Sequence, residues 1–179
     1  MCQRLRRETR SCLAIPILVA ALSVLLIPTA NAAKPTRTII GVERLFLPAG
    51  AACEFAISGT PDERARQTII EFDDGRTRLI GHASPTFTNL ETGASIVHKS
   101  RYYNSFVYDP VVNDVYIEVS GRVFFSFLPG DEGPNGTVGS PGALIGFAGD
   151  IEATFDLDTG LLVSFEHEGT SKDLCELLR

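Results

Sequence analysis

Three histidines and several carboxylate pairs are the residues of this chain whose chemistry could support catalysis. His82, His98 and His167 are far apart in sequence, and the chain has no Gly-x-Ser-x-Gly motif to mark a serine nucleophile. Carboxylate pairs such as Asp73–Asp74 fall in predicted turns, and the absence of Trp removes the usual sugar-stacking side chain. We therefore assign no catalytic residue. A hydrolase or isomerase that uses one His and one acid in a barrel mouth stays open as a third interpretation.

The histidine spacing does not suit zinc, which is usually held by paired ligands such as His-x-x-x-His. In Glu166-His167-Glu168, alternation along a strand places the histidine on the face opposite to both glutamates. We predict no metal site from these residues and no cofactor.

The acidic segment 131–142 partly matches a calcium-binding loop. Asp131 and Asn135 occupy loop positions 1 and 5. Positions 3 and 12 are Gly133 and Gly142, where an EF-hand loop needs oxygen ligands. The EF-hand motif therefore fails, and a weak site using Asp131, Glu132 and Asn135 is left open.

Aromatic residues are concentrated on two predicted strands. One strand holds Phe124, Phe125 and Phe127 on both faces, and the other places Tyr102, Phe106 and Tyr108 on one face. Core packing is the ordinary use of such residues, whereas a pocket for a small apolar ligand is the functional alternative. The candidate pocket residues are Tyr102, Phe106, Tyr108, Phe125 and Phe127.

The segment TFTNLETGAS, residues 86–95, reads as a strand, a tight corner and a return strand. Asn89 can hydrogen-bond the backbone of the turn, and Gly93 supplies the positive φ that the corner needs. We interpret the corner as structural.

The N-terminus has the three parts of a secretory signal peptide. Residues 1–10 hold four Arg and one Glu, an apolar run covers residues 12–28, and Ala30-Asn31-Ala32 ends it. We predict cleavage after Ala32, a single domain over residues 33–179, an extracellular location and no stable membrane insertion after cleavage. An uncleaved anchor is the alternative, for which the run is slightly short.

The net charge of the chain limits the classes of molecule that it can bind. The whole chain has 16 basic and 22 acidic residues, and removal of residues 1–32 leaves 12 and 21, a net charge of −9. Such a surface repels nucleic acid and anionic lipid headgroups. We expect no nucleic-acid partner; the expected partner is an extracellular molecule of undefined type or a small apolar ligand.

Two cysteines, Cys53 and Cys175, remain after the signal peptide. An even count in an exported chain predicts a disulfide. The bridge would close a loop of 122 residues, for which the chain-entropy model gives roughly 5 kcal/mol.

Alternating apolar residues and Asp-Gly or Thr-Gly turns predict β-structure throughout. Four hairpins are expected, with turns at residues 73–75, 91–93, 120–121 and 158–160. Ten to twelve strands in sequential hairpins predict an all-β antiparallel meander that closes as a barrel, with a two-sheet sandwich as the alternative.

Two segments interrupt the strand pattern. The Gly- and Pro-rich segment 129–141 has no apolar period and is expected to be a mobile or functional loop. Near the C-terminus, Thr170 and Asp173 have the spacing of a helix start, and Leu174, Leu177 and Leu178 repeat with helical period. We expect a short helix whose leucines and Cys175 pack on the sheet.

The order of several short motifs carries a resemblance. The chain has an early Cys, "DDGR", "TNLETG", a Phe-rich strand, "DLDTG" and a terminal "DLCELL". In this order they resemble a family of small secreted β-rich proteins from actinobacteria with no assigned activity. The resemblance implies an exported β-protein with cysteines in matching places and supplies no catalytic residues.

These observations favour a secreted, non-enzymatic β-domain that acts as an extracellular interaction module. The alternatives are a carrier of a small apolar ligand in a barrel pocket and the barrel-mouth hydrolase or isomerase described above.

Overall fold

Residues 34–179 are described by a computed structural model, and the predicted signal peptide lies outside them. This part of the chain forms one compact unit that contains thirteen strands and one helix. The strands are β1 (Thr36–Gly41), β2 (Leu45–Leu47), β3 (Ile57–Thr60), β4 (Arg66–Glu71), β5 (Thr77–Ala83), β6 (Thr86–Asn89), β7 (Ser95–Val97), β8 (Ser100–Asp109), β9 (Asp114–Phe127), β10 (Glu132–Gly133), β11 (Gly136–Thr137), β12 (Ala143–Asp156) and β13 (Leu161–Asp173); the helix is α1 (Leu174–Leu177).

The all-β prediction is confirmed, but residues 34–179 do not form a closed barrel. Seven strands make one antiparallel sheet, called here the large sheet, in the order β1-β4-β5-β8-β9-β12-β13. β1 pairs with β4 and β13 pairs with β12, so both end strands are edges of this sheet. The sheet stays open because its long strands bend, and this bend buries their apolar face without closure into a barrel.

The bend occurs where β9, β12 and β13 cross a row of glycines. Gly121, Gly149 and Gly169 are paired across the three strands and have φ values of 118°, 142° and 127°. Phe127 and Phe165 lie on opposite sides of this row, yet their ring centroids are 4.9 Å apart. Since side chains on the two halves of the strands meet, the large sheet folds toward the face that carries these rings.

This bend corrects one sequence prediction. Ser120-Gly121 was expected to be a hairpin turn between two strands, but both residues lie inside the continuous strand β9. A Cβ at Gly121 would overlap the Arg101 carbonyl oxygen of β8, so this glycine allows close approach of the neighbouring strand. The other three predicted turns, at residues 73–75, 91–93 and 158–160, are confirmed.

A second sheet of four strands, β2-β3-β6-β7, packs on the opposite face of the large sheet. Phe87 of β6 meets Phe124 of β9 with ring centroids 4.9 Å apart. Ile57, Leu144 and Phe87 are buried together at this contact. The second sheet therefore covers the C-terminal half of β9 and the N-terminal half of β12 and leaves the rest of that face open.

The short C-terminal helix is confirmed, although it begins later than the predicted start at Thr170. Asp173 is its N-cap, with Oδ1 accepting from the Cys175 and Glu176 backbone N–H groups at 2.7 and 3.2 Å. Thr170 is in β13 because strand pairing with Ala148 continues through it. Leu174 and Leu178 are buried as expected, whereas Leu177 is exposed.

The segment 129–141 contains the two-stranded sheet β10-β11, which corrects the expectation of a loop without regular structure. Asp131 anchors it: its Oδ2 accepts from the Leu128 N–H at 2.7 Å and its Oδ1 from the Leu162 N–H at 2.9 Å. The side chain is buried, so the segment is tied to the start of β13.

Among residues 34–179, no helix has the length and apolar character that crossing a membrane requires.

Candidate functional site

The exposed part of the large sheet that the second sheet leaves open carries most of the candidate binding groups. We call it the charged face and define it by Arg101, Ser120 and Asp150. Two contacts show that neighbouring side chains lie on this face: the Arg78 guanidinium is 5.5 Å from the Tyr103 ring centroid, and Ser120 Oγ donates to Asp150 Oδ1 at 2.7 Å. The opposite face, which holds Phe127, Phe147 and Phe165, is the aromatic face.

Four basic residues form a straight row across the charged face. Arg66, His82, Arg101 and Arg122 are direct cross-strand partners on the adjacent strands β4, β5, β8 and β9. All four are exposed. Directly opposite residues in an antiparallel pair are about 5 Å apart, so the basic row spans about 15 Å.

Within residues 34–179 no member of the basic row forms an ion pair, although Asp62 lies near enough to His82 for the two to interact electrostatically. The ion pairs within residues 34–179 are Arg76 with Asp74 and Arg179 with Glu54, and neither involves the row. Like charges directly opposite each other destabilise a sheet. Arg101 opposite Arg122 is therefore a local cost that folding alone does not explain.

Two clefts open along the basic row. The first, of about 760 Å³, is lined by Arg66, His82 and Arg101 together with the apolar side chains of Ile80 and Tyr103. This cleft combines positive charge with exposed apolar surface. It can hold an anionic group beside an aliphatic or aromatic body.

The second cleft, of about 400 Å³, lies where the basic row meets the second sheet. It is lined by Lys99, Arg122 and Lys172, with His98 at one side and Gly146 in its floor. His98 lies directly over Gly146, where a Cβ would come within 2.7 Å of the imidazole Cε1. The small floor residue is therefore required for the position of the imidazole.

Burial lowers the pKa of His98, although an interaction with the Val123 backbone opposes this effect; the charge of Arg122 lowers the pKa further. The imidazole is therefore neutral at pH 7, and its Nε2 is buried without a hydrogen-bond partner in the described part of the chain. The charge in this cleft comes from the two lysines and the arginine.

Acidic residues occupy the part of the charged face beyond the glycine bend. Five exposed carboxylates on β9, β12 and β13 form this acidic patch: Glu118, Asp150, Glu152, Glu166 and Glu168. They line a cleft of about 850 Å³. No group of three or more His, Cys, Asp or Glu in residues 34–179 has an arrangement that could hold a metal ion.

The predicted disulfide is present: Cys53 and Cys175 are bonded, with Cα atoms 5.7 Å apart. Both cysteines are buried in the core between the second sheet and α1. The bridge therefore joins the segment before β3 to the C-terminal helix, as the sequence predicts.

The candidate pocket aromatics do not come together in one site. Phe125 and Phe127 pack with Phe165 on the aromatic face at centroid distances of 5.5 and 4.9 Å, so they contact side chains and not a void. Tyr108 is 51% exposed at a strand end. Phe106 is partly exposed on β8, and Tyr102 is partly buried and lines the 760 Å³ cleft.

Tyr102 lies across Gly81, and its hydroxyl accepts a hydrogen bond from the Gln67 side-chain amide. Burial raises the pKa of the Tyr102 hydroxyl, with the Gln67 hydrogen bond acting in the other direction. Of the five candidates, Tyr102 is the one that borders a cleft next to the basic row.

The three histidines lie in different places. His82 is in the basic row, His98 lies beside the second cleft, and His167 contacts Phe147 at a centroid distance of 5.1 Å. Within residues 34–179 no hydrogen bond joins a histidine to a carboxylate, which is the minimum that the hydrolase or isomerase interpretation requires.

The loop considered for calcium uses its acids in other ways. Both carboxylate oxygens of Asp131 accept backbone hydrogen bonds, and Glu132 Oε1 accepts from the Thr137 hydroxyl at 2.6 Å. A calcium ion would have to displace the two backbone bonds of Asp131 to use that carboxylate.

The basic row is the group of candidate residues that sequence reasoning missed. Its members are 16 to 21 positions apart, so no short motif contains them. Hairpin register was the available signal, because the turn at residues 73–75 fixes Arg66 opposite His82. The Arg101–Arg122 pair could have been found in the same way from the hairpin of β8 and β9, had that hairpin been predicted.

Comparison of the chain with family models, with curated proteins and with solved structures finds no match. The resemblance to secreted actinobacterial proteins therefore stays a prediction.

Proposed function

We propose that this protein is an exported interaction module that binds a small anionic ligand along the basic row and performs no chemistry on it. The observation that carries the proposal is the row itself. Arg66, His82, Arg101 and Arg122 are adjacent and exposed, and none of the three arginines forms an ion pair within the described chain.

The charges of the basic row favour an anion as ligand. Arginines directly opposite each other repel, and a bound phosphate or carboxylate converts that repulsion into charge-assisted hydrogen bonds. Arg101 has His82 on one side and Arg122 on the other, so an anion centred on Arg101 lies beside two guanidinium groups and one imidazole. The guanidinium group can bind a carboxylate or phosphate through two parallel N–H donors.

The surroundings of the row limit the ligand. Ile80 and Tyr103 are 45% and 36% exposed beside Arg101, which suits a ligand with an apolar body. The acidic patch begins in the row of side chains next to the basic row, where Asp150 accepts a hydrogen bond from Ser120. A long polyanion would meet these carboxylates, so we infer a compact carboxylate or phosphate ester.

The proposed site keeps one feature of the carrier interpretation, an apolar surface for the ligand, but builds it from other residues. Phe125 and Phe127 are packed against other rings, and the apolar surface next to the row comes from Ile80, Tyr102 and Tyr103 instead. A small apolar body would bind in the 760 Å³ cleft only together with its anionic group.

Export to an extracellular location is part of the proposal. A disulfide between Cys53 and Cys175 suits an oxidising compartment, and the basic and apolar N-terminus matches a signal peptide.

Calorimetric titration with phenyl phosphate tests the proposal, using protein exported from a bacterial host. Phenol and benzylamine serve as the neutral and cationic counterparts of the ligand. We expect phenyl phosphate alone to bind, and Arg101→Ser to weaken binding about tenfold, since an ion-paired hydrogen bond contributes about 1.4 kcal/mol or more.

Arg44→Ser is the matched control, because Arg44 is exposed in the segment between β1 and β2 and lies outside the row. Equal loss of binding in Arg44→Ser and Arg101→Ser would show a general charge effect and contradict the proposal. Binding of phenol as strong as that of phenyl phosphate would also contradict it.

A further inference from the structure

A second row of side chains on the charged face is positively charged toward one edge of the large sheet and negatively charged toward the other. It contains one residue from each strand of the large sheet, all in direct register, and Ile70 is the one member that is buried: Arg37, Ile70, Arg78, Ser105, Glu118, Glu152 and Glu166. We call it the bipolar row. Its central residue, Ser105, is on β8, the fourth of the seven strands.

The two halves of the bipolar row carry opposite charge. Arg37 and Arg78 lie on one side of Ser105, and three glutamates lie on the other. The glutamates are directly opposite one another on β9, β12 and β13, which is unfavourable for an isolated sheet. Neither half is paired with a counter-charge within residues 34–179.

We propose that a second copy of this chain docks on the charged face about a two-fold axis that runs parallel to β8. Such an axis places each strand on one side of β8 opposite the strand equally far from it on the other side. Arg37 of one copy then lies opposite Glu166 of the other, and Arg78 lies opposite Glu118. Each of these pairs occurs twice, as the isologous interface of a two-fold dimer requires.

The neighbouring row supplies the apolar contact. Tyr103 lies two residues before Ser105, at the neighbouring position of β8 that faces the same side, so it lies at the same axis. Ile80 is beside it, and Ile39 is in the same row on β1. These side chains are 36%, 45% and 71% exposed, although isoleucine is ordinarily a buried residue. Docking of a second copy would cover all three.

Arg101 lies on the axis strand β8, so it faces Arg101 of the docked copy and this like-charge contact weakens the interface. The basic row does not add a further like-charge contact on β9. Arg122 lies on the other side of the glycine bend from Glu118, and the sheet folds there toward the aromatic face. On the charged face the two parts of β9 therefore diverge, so Arg122 is directed away from the docked copy. The inference rests on a different row of residues from anion binding, but docking covers Ile80 and Tyr103, which also line the 760 Å³ cleft, so a docked copy and an anion in that cleft exclude each other.

The interface would be weak and sensitive to salt. Seven strands at about 4.8 Å spacing give the contact a width of about 29 Å, and two residue rows with their side chains give it a length of about 14 Å. The resulting contact area is smaller than that of a standard protein–protein interface. Exposed ion pairs are screened at physiological ionic strength. Association is therefore expected at concentrations above about 10 μM in low salt.

Sedimentation velocity tests the inference, with exported protein at 10–300 μM in 20 mM and 500 mM NaCl. We expect wild type to dimerise in low salt and to dissociate in high salt. Arg78→Glu and Glu118→Arg, each alone, should weaken the dimer at least tenfold, because two pairs per dimer change from attraction to repulsion.

The decisive sample is an equimolar mixture of the two single variants. In the mixed dimer the substituted position 78 of one chain faces the substituted position 118 of the other with opposite charge. The two native residues, Arg78 and Glu118, also face each other. The mixture should therefore dimerise about as well as wild type, although each variant alone does not.

Arg44→Glu controls for net charge, since it makes the same charge change as Arg78→Glu at an exposed site outside the strands of the large sheet. A wild type that stays monomeric at 300 μM in low salt would overturn the inference. So would a mixture no better than its components, or an equal effect of Arg44→Glu. If either variant loses its β-sheet circular dichroism, Arg37→Glu with Glu166→Arg provides the second pair.

Discussion

Replacement of Asp131 by Ala should be one of the most destabilising single substitutions in this protein. The carboxylate is 4% exposed and accepts from two backbone N–H groups, those of Leu128 and Leu162. Loss of hydrogen bonds to a charged acceptor costs about 1.5 kcal/mol each, so we expect a decrease of about 3 kcal/mol in the free energy of unfolding.

Urea unfolding followed by far-ultraviolet circular dichroism measures this change, since the chain has no Trp for fluorescence. With a denaturant slope of about 2 kcal/mol/M, the midpoint should fall by about 1.5 M. Asn135→Ala, at an exposed position of the same segment, is the control and should change stability by less than about 0.5 kcal/mol. Equal midpoints for the two variants would refute the anchoring role of Asp131.

Two further predictions concern the glycine bend and His98. Gly149→Ala should lower the free energy of unfolding by about 3 kcal/mol or more, because φ is 142° and the added Cβ would overlap the Glu168 carbonyl oxygen. Gly139→Ala, which meets open space, is its control, and similar urea midpoints for both would disprove the close approach. Burial lowers the pKa of His98, so the stability it contributes is complete above about pH 6.5 and is lost as the pH falls through the lowered folded-state pKa. His98→Gln should therefore lose less stability than wild type between pH 7.5 and 5; parallel urea-midpoint profiles would contradict this.

Local turn chemistry made much of the fold predictable. Asp74-Gly75 and Thr92-Gly93 form the expected tight turns, and Asn89 Oδ1 accepts from the Glu91 N–H at 2.9 Å as the corner requires. Asn89 also donates to the Leu178 carbonyl oxygen at 3.0 Å, a contact between residues 89 positions apart. The first set of contacts depends on neighbouring residues and could be predicted, whereas the last could not.

The long strands show why the barrel prediction failed. Gly121 follows a serine between two strand-like segments, a pattern that fits a turn and a bend equally well. The strand bends instead of turning because β9 pairs with β8 and β12 on both sides of Gly121. This pairing keeps β9 continuous. Such pairing is non-local and leaves no short sequence signature.

The candidate site was hidden for the same reason. Each member of the basic row looks like an ordinary exposed residue of a half-buried strand. Their alignment depends on the register of three successive strand pairs, and a shift of one residue in any of them would move a member to the aromatic face.

Amide chemical-shift mapping by NMR tests the central claim, that the basic row binds a compact anion. Isotope-labelled exported protein would be titrated with phenyl phosphate. The account predicts that the largest shifts cluster at Arg66, His82, Arg101 and Arg122, on four adjacent strands, and that Arg101→Ser weakens them together. Shifts that cluster on the aromatic face or the acidic patch, or no saturable shifts at all, would contradict the account.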